Sequence, residues 1–379
     1  MAQGTVLRSH AGGYLVFETQ SMASLFCQAR KRLKKEHVSI LTGDRVELVD
    51  VDFDKGTATI TGCCDRWSLL TRPPLANVDQ VVIVQAVRQP EWNQLWCDRY
   101  IVHFQLELPD AKPVLCFNKC DLIDEEQSST LRGIYEPLGY NVVLLSTITG
   151  GGLDELSVLL AGKITVFAGP SGVGKSSILN KLDSSLKLKI GVMDNDFGVG
   201  RQTTTYSKLY QVLSGRYPET PTWVADTPGF NLQEIKYPMP ADVMWQFPEI
   251  AAYSNDCKFS NCMHLVETDC KVIENIVEDD EPMPVERNPD APLPVARERY
   301  ENYVLLQAEA QEVYNQRRST SSKVETGVKT TGGEKGKGKA IPKLDLATRS
   351  ESRRREKQRF KPSILLDDES ELDMDEYLT

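Results

Sequence analysis

The stretch GPSGVGKSS, from Gly169 to Ser177, constrains this chain more than any other short segment. It matches G-x-x-x-x-G-K-S, follows the strand-like run KITVFA and precedes the helix-like SSILNKL. A strand, a glycine-rich loop and a helix in that order are the setting a phosphate-binding loop requires. Backbone N–H groups from Gly172 through Val173 and Gly174 to Ser176 can line an anion nest at the positive end of the helix, and Gly169, Pro170, Ser171 and Ser177 complete the cradle. Lys175 can reach the β- and γ-phosphates and assist catalysis, and the Ser176 hydroxyl is a ligand for Mg²⁺. The loop does not choose a base, because ATPases, nucleotide kinases and GTPases all use it. It also stands near the middle of the 379-residue chain instead of near the start of a domain.

The base is indicated by FNKCDL, where Asn118, Lys119 and Asp121 follow a predicted strand. A carboxylate at Asp121 can accept from N1–H and the 2-amino group of guanine, donors that adenine does not offer there. Leaving those acceptors unpaired discriminates strongly against adenine. Lys119 lays its stem along the base and Asn118 ties the loop together. Four letters alone also fit a surface turn; the preceding strand and the similar strand end LLSTITG, with Ser146, favour base recognition. Further on, ADTPGF puts Asp226 and Gly229 at another strand end, where the carboxylate can hold Mg²⁺ through water and the Gly229 N–H can sense the γ-phosphate. Between them lies GRQTTT, in which Thr203, Thr204 or Thr205 can complete the Mg²⁺ shell, with Thr204 the expected ligand. The motifs run base, serine, phosphate loop, switch threonine, DTPG, a cyclic rotation of the order in Ras-like GTPases. New chain ends at surface loops leave a sheet's core intact. The expected fold over residues 75–235 is therefore a circularly permuted α/β P-loop GTPase.

Ahead of it, residues 1–74 alternate β-rich runs with Gly-centred turns, the pattern of a small all-β barrel for which an oligonucleotide-binding (OB) type is one candidate. RKRLKK within it is either a solvated connection or an RNA contact. Behind it, residues 236–315 carry helix-like segments around CKFSNCMHLVETDC. Cys257, Cys262, His264 and Cys270 form a full tetrahedral set for one structural Zn²⁺, with no open coordination position. The spacing differs from common zinc fingers, so unliganded thiols are the alternative. Nine cysteines without a secretion signal argue against a disulfide framework. The net charge of -10 conceals a division: residues 316–361 hold 15 Lys or Arg against 5 Asp or Glu, while 363–379 hold 7 acids and no base. That tail, 316–379, reads as disordered, basic and then acidic, and suited to touching a polyanion. Apolar runs are too short for a membrane span and the start has no apolar signal core, which points to the cytoplasm and to no membrane partner.

Taken together, NKCD, GPSGVGKS, GRQTTT, DTPGF, FPEI, the Cys/His segment and DRWSLLTRPPLANVDQ before the first GTPase strand resemble the ribosome small-subunit-dependent GTPase A (RsgA) family over roughly residues 4–312. The resemblance implies an OB-fold barrel, a permuted GTPase domain and a mainly helical zinc domain in that order. It also implies a monomeric factor in late maturation of the small ribosomal subunit, contacting rRNA through its flanking domains, with weak GTP hydrolysis accelerated on the subunit. Two features depart from the family. Gln202 stands where many members have His, so no catalytic role of that His carries over, and the charged tail exceeds the usual family core. Phe230 occupies the place where Ras-like enzymes carry a water-orienting Gln, which predicts slow hydrolysis in isolation and leaves Gln202 or an rRNA-positioned group to orient the water. Because DTPG leads straight into the metal segment, loss of the γ-phosphate is expected to shift the zinc domain and lower affinity for the subunit. The rival readings are a P-loop ATPase or small-molecule kinase with an accidental NKCD, and a non-catalytic RNA-binding scaffold.

Overall fold

The structure is a computed structural model. It describes residues 2–324 except 11, 36–38, 72, 112, 185, 187–206, 214–215, 218–220, 227–238 and 279–291, and in addition 328–330 and 340–342.

The N-terminal strands close on themselves. They are β1 (Ala2–His10), β2 (Gly13–Glu18), β3 (Ala23–Ala29), β4 (Arg45–Asp52) and β5 (Thr57–Cys63). β1 pairs with both β2 and β4, β2 with β3, β3 with β5, and β5 with β4, which completes a five-stranded barrel. Inward residues alternate with outward ones, as strands require: Val46 and Leu48 join Val6, Val16, Leu25 and Ile60 inside, while Arg45 faces out. RKRLKK forms a short helix, α1 (Lys31–Lys35), whose Leu33 is buried in the barrel core. The turn before β4 needs glycine at Gly43, because at φ +90° a Cβ there would meet the Ala76 carbonyl oxygen at 2.0 Å.

A hairpin, β6 (Leu69–Thr71) and β7 (Pro74–Ala76), leads into the α/β core. Its elements are β8 (Gln80–Ala86), α2 (Gln94–Glu107), β9 (Val114–Asn118), α3 (Glu125–Tyr135), β10 (Asn141–Leu144), α4 (Leu153–Leu160), β11 (Ile164–Ala168), α5 (Lys175–Leu182), β12 (Lys208–Val212) and β13 (Thr222–Asp226). The spatial order is β10-β9-β8-β11-β13-β12, parallel throughout except for β12. β8, β9 and β11 are buried along their whole length, as expected of strands covered on both faces. Cys97, Tyr100, Phe104, Leu131 and Tyr135 of α2 and α3 cover one face; Leu156, Leu160, Ile178 and Leu179 of α4 and α5 cover the other. β12 also pairs with β1 at Lys208 opposite Arg8, so barrel and α/β sheet form one eleven-stranded sheet. Phe17 of the barrel stands edge-on to Trp223 of β13, with ring centroids 5.0 Å apart.

The C-terminal lobe holds α6 (Pro248–Ser254), α7 (Lys271–Glu274) and α8 (Arg297–Val324). Its core of Val243, Phe247, Ile250, Val272, Tyr303 and Leu306 also contains Val102 of α2. α8 runs further into the charged tail than composition suggests, and Val328–Thr330 pairs with Ala340–Pro342. The rest of the tail lies outside the described residues. Among the described residues no helix is long and apolar enough to cross a membrane.

Candidate functional site

The parallel strands bring the sequence motifs to one edge of the sheet. The phosphate loop follows β11, NKCD ends β9, STITG follows β10 and Asp226 ends β13. In open α/β sheets this carboxyl edge is where ligands sit. Asp226 is one residue past Ala225, the partner of Val166 in β11, which sets it beside the start of the phosphate loop. Gln202, Thr203, Thr204, Thr205 and Gly229 lie outside the described residues.

The loop has the backbone that its glycines allow. Gly169, Gly172 and Gly174 take φ of +141°, +79° and +100°. Two of them are also fixed by close approach: a Cβ on Gly169 would meet the Val84 carbonyl oxygen at 2.0 Å, and one on Gly174 would meet Asn118 Nδ2 at 2.2 Å. Val173 is buried and anchors the loop, while Ser171 and Gly172 are exposed. Gly174 begins α5 without any side-chain cap, leaving the first-turn N–H groups, including those of Ser176 and Ser177, to an anion. Lys175 Nζ donates to the carbonyls of Gly169 and Pro170, each at 2.7 Å. Burial pushes its ammonium down from 10.5 to about 8. Among the described residues no carboxylate is paired with it. A buried cation of this kind gains from a phosphate oxygen.

The base motif is joined to this loop directly. Asn118, almost fully buried, donates through Nδ2 to the Val173 carbonyl at 2.8 Å. Lys119 takes a left-handed φ of 65° and its Nζ donates to the Gln89 carbonyl. Asp121 accepts from Ser146 Oγ at 2.5 Å, and that oxygen in turn accepts from the N–H groups of Ile148 and Thr149, each at 3.2 Å. The serine thereby fixes the carboxylate and its own loop in one bond chain.

The sequence did not mark residues 87–93, yet they line the same edge. Val87 N–H donates to the Asn118 carbonyl at 3.1 Å, Gln89 receives Lys119, and Pro90 Cδ lies 3.9 Å from a Cβ built on Gly172. Trp92 stands edge-on to Phe117 at 6.0 Å. These contacts use main-chain atoms and generic packing, so no residue pattern announces them.

The second cluster lies in the C-terminal lobe. Cys257, Cys262, His264 and Cys270 present ligand atoms all within 4.8 Å of one another. Cys257 Sγ is 3.9 Å from Cys270 Sγ, and His264 Nδ1 is 3.6 and 3.4 Å from those two sulfurs. Zn–S and Zn–N bonds of roughly 2.3 and 2.0–2.1 Å at a tetrahedral angle give S···S and S···N edges of about 3.8 and 3.6 Å. The donor set therefore fits that ion. Burial pushes the Cys262 and Cys270 thiols up, a shift that a divalent cation would reverse by binding thiolates, and pushes the His264 imidazole down, toward the neutral form that a cation binds. The surrounding loop is held by Tyr300 and Tyr303, whose hydroxyls donate to the His264 and Met263 carbonyls at 2.8 and 2.6 Å. Glu267 accepts from the N–H groups of Met263, Leu265 and Val266.

A glycine-shaped phosphate loop, a base motif bonded to it and a parallel sheet whose strands arrive in rotated chain order define a circularly permuted GTPase. Residues 63–236 match the family model described as RsgA GTPase. A "Small ribosomal subunit biogenesis GTPase RsgA" of Caldanaerobacter subterraneus subsp. tengcongensis is 36% identical over 310 residues, covering 82% of this chain and 96% of its own. A protein of that name from Geobacillus thermodenitrificans is 34% identical, with 82% and 98% covered. Among solved structures, YjeQ from Thermotoga maritima superposes with a TM-score of 0.64 at 31% identity, covering 82% and 98% of the two chains. YloQ, described as a circularly permuted GTPase, gives 0.63 at 28%, with 82% and 96% covered. The chain belongs to the RsgA GTPase family and is a GTP hydrolase.

Proposed function

We propose that this GTPase binds the small ribosomal subunit and assists its late maturation, hydrolysing GTP to GDP and phosphate with turnover stimulated by the subunit. The observation that carries the nucleotide assignment is the bond from Asn118 Nδ2 to the Val173 carbonyl, which makes base recognition and phosphate binding one pocket. In that pocket Asp121 accepts from the guanine N1–H and 2-amino groups, with Ser146 holding the carboxylate in place. Lys119 covers the base. Gly169 to Ser177 cradle the phosphates, and Lys175 turns from the loop carbonyls to the β- and γ-phosphate oxygens. Ser176 and Thr204 would hold Mg²⁺, with Asp226 acting through water, and the ion would neutralise charge on the transferred phosphoryl group. The Gly229 N–H senses the γ-phosphate. Phe230 cannot orient the attacking water, so Gln202 or a group on the subunit does so.

Residues 1–74 are proposed as an OB-type RNA-binding domain, since the closed strand order supports that type. Residues 75–235 form the GTPase domain, 236–315 a helical domain holding one structural Zn²⁺ on Cys257, Cys262, His264 and Cys270, and 316–379 a basic and then acidic tail. The protein works as a cytoplasmic monomer, contacting rRNA through its flanking domains. Multiple-turnover GTPase assays with and without purified small subunits test this reading. Stimulation by subunits, with ATP failing to compete against GTP, is expected; equal turnover in both conditions would sink it. Unchanged stimulated turnover in Gln202→Ala would assign the water to the subunit.

A further inference from the structure

α2 starts at the nucleotide edge and is buried on both sides. Its N-cap, Asn93, closes the 87–93 loop that touches NKCD and, at Pro90, lies close to Gly172 of the phosphate loop. Cys97, Tyr100, Ile101 and Phe104 pack into the core under the sheet, whereas Leu95, Val102 and Leu106 pack into the core of the C-terminal lobe. One turn into the helix, Asp98 is fully buried at the centre of a charged cluster that spans three chain regions. Arg299 of α8 donates to Asp98 through Nη1 and to Glu249 of α6 through Nε at 2.8 Å. Asn302 Nδ2 donates to Asp98 at 2.8 Å, and Tyr135 Oη of α3 donates to it at 3.0 Å. The guanidinium also stacks on the Phe247 ring, 4.7 Å from its centroid. Asp98, Glu249 and Arg299 are each no more than 3% exposed. Nearer the surface, Arg99 pairs with Glu309 at 2.6 Å.

A helix shared by two close-packed cores cannot rotate or slide without disturbing both, because such interiors are hardly compressible. The clasp strengthens this, since separating any partner strands a buried charge. We infer that α2 is a lever carrying nucleotide state from the 87–93 loop to the C-terminal lobe, with Asp98, Glu249 and Arg299 as positioning residues that make α2, α6 and α8 move as one body. This route is independent of residues 227–238, which lead from DTPG into the lobe by sequence. It rests on the proposed nucleotide pocket. It also gives the buried cluster a role beyond stability, in that it sets which elements respond together.

Amide hydrogen exchange of the full chain without nucleotide, with GDP and with a non-hydrolysable GTP analogue tests the lever, with binding of a fluorescent GDP measured on the same samples. Nucleotide is expected to slow exchange in residues 87–93 and, by a similar factor of about 3 or more, in α2 and α8. Asp98→Asn should reduce the α8 response at least twofold while nucleotide affinity stays within about 3-fold. Arg99→Ala, a milder cut at the more exposed pair, should reduce it less. Nucleotide binding that leaves α8 exchange unchanged overturns the lever, as does a full α8 response in both variants. Absence of nucleotide binding overturns the functional reading itself and the lever with it. The wild-type arm needs no substitution, so an unfolded variant cannot shield the inference.

Discussion

The nucleotide edge and the Cys/His cluster are assembled by opposite strategies. The first draws residues from four strand ends spread between Asn118 and Asp226, and its geometry comes from sheet topology, three positive-φ glycines and main-chain bonds. The second draws four side chains suited to a metal ion from one segment between Cys257 and Cys270, with little regular structure of its own. A site made by a sheet survives loss of any single side chain as a shape, whereas a site made by ligands has no shape without them. The contrast predicts graded functional losses at the edge and an all-or-none loss at the cluster.

The largest effect should come from Cys270→Ser, which leaves buried His264 and Cys262 without a complete shell. Zinc measured by plasma mass spectrometry should fall from one per chain to near zero, and near-ultraviolet dichroism of the lobe should collapse. Retention of bound zinc and of the spectrum would break the contrast. Asp121→Asn should weaken guanine nucleotide on the order of 10³-fold, from two charge-assisted bonds of about 1.5–3 kcal/mol each, while xanthine nucleotide binding rises. Lys175→Ala should cost about 10²-fold in GTP affinity, while the nucleotide-free protein melts no lower than the wild type. Ser146→Ala removes the 2.5 Å bond to Asp121 and should weaken GTP about 10-fold without changing the base preferred.

The smallest expected effect is a proton linkage. The folded Lys175 is depressed to about 8, so it is partly deprotonated at pH 8.5. Phosphate contact favours the charged form and raises that value, so binding takes up a proton between pH 8 and 10 and affinity falls as pH rises through that window. For the nucleotide-free protein the sign is the reverse of the usual paired lysine: the unfolded state holds more protons from pH 8 to 10.5, and this group's contribution to stability rises there. Calorimetry at pH 8.5 in buffers of different ionisation enthalpy should find uptake of up to one proton, absent in Lys175→Met.

The nucleotide edge was legible in sequence because its parts are backbone devices, and glycine, lysine and a strand-end carboxylate leave short fixed patterns. The permuted order was legible for the same reason, since each pattern names a strand end. The Cys/His cluster was legible as four residues of matching chemistry within one segment. What stayed hidden needed tertiary distance. Asp98 and Arg299 meet across 201 positions and Arg299 meets Glu249 across 50, so each reads locally as an ordinary surface charge. Nothing in the sequence of α2 says that it serves two cores. RKRLKK reads as a charge run, and only the barrel reveals Leu33 as its anchor.

The shared cores have a consequence for anyone cutting this chain into pieces. Phe17 lies against Trp223, and Val102 lies among the residues of the C-terminal lobe. A fragment beginning after the barrel would display one side of a ring pair to water, and one ending before α6 would strip a flank of α2. Such pieces should be sticky and short-lived even where their catalytic motifs are complete, so poor behaviour of an isolated GTPase fragment would report on its raw edges and say nothing about its chemistry.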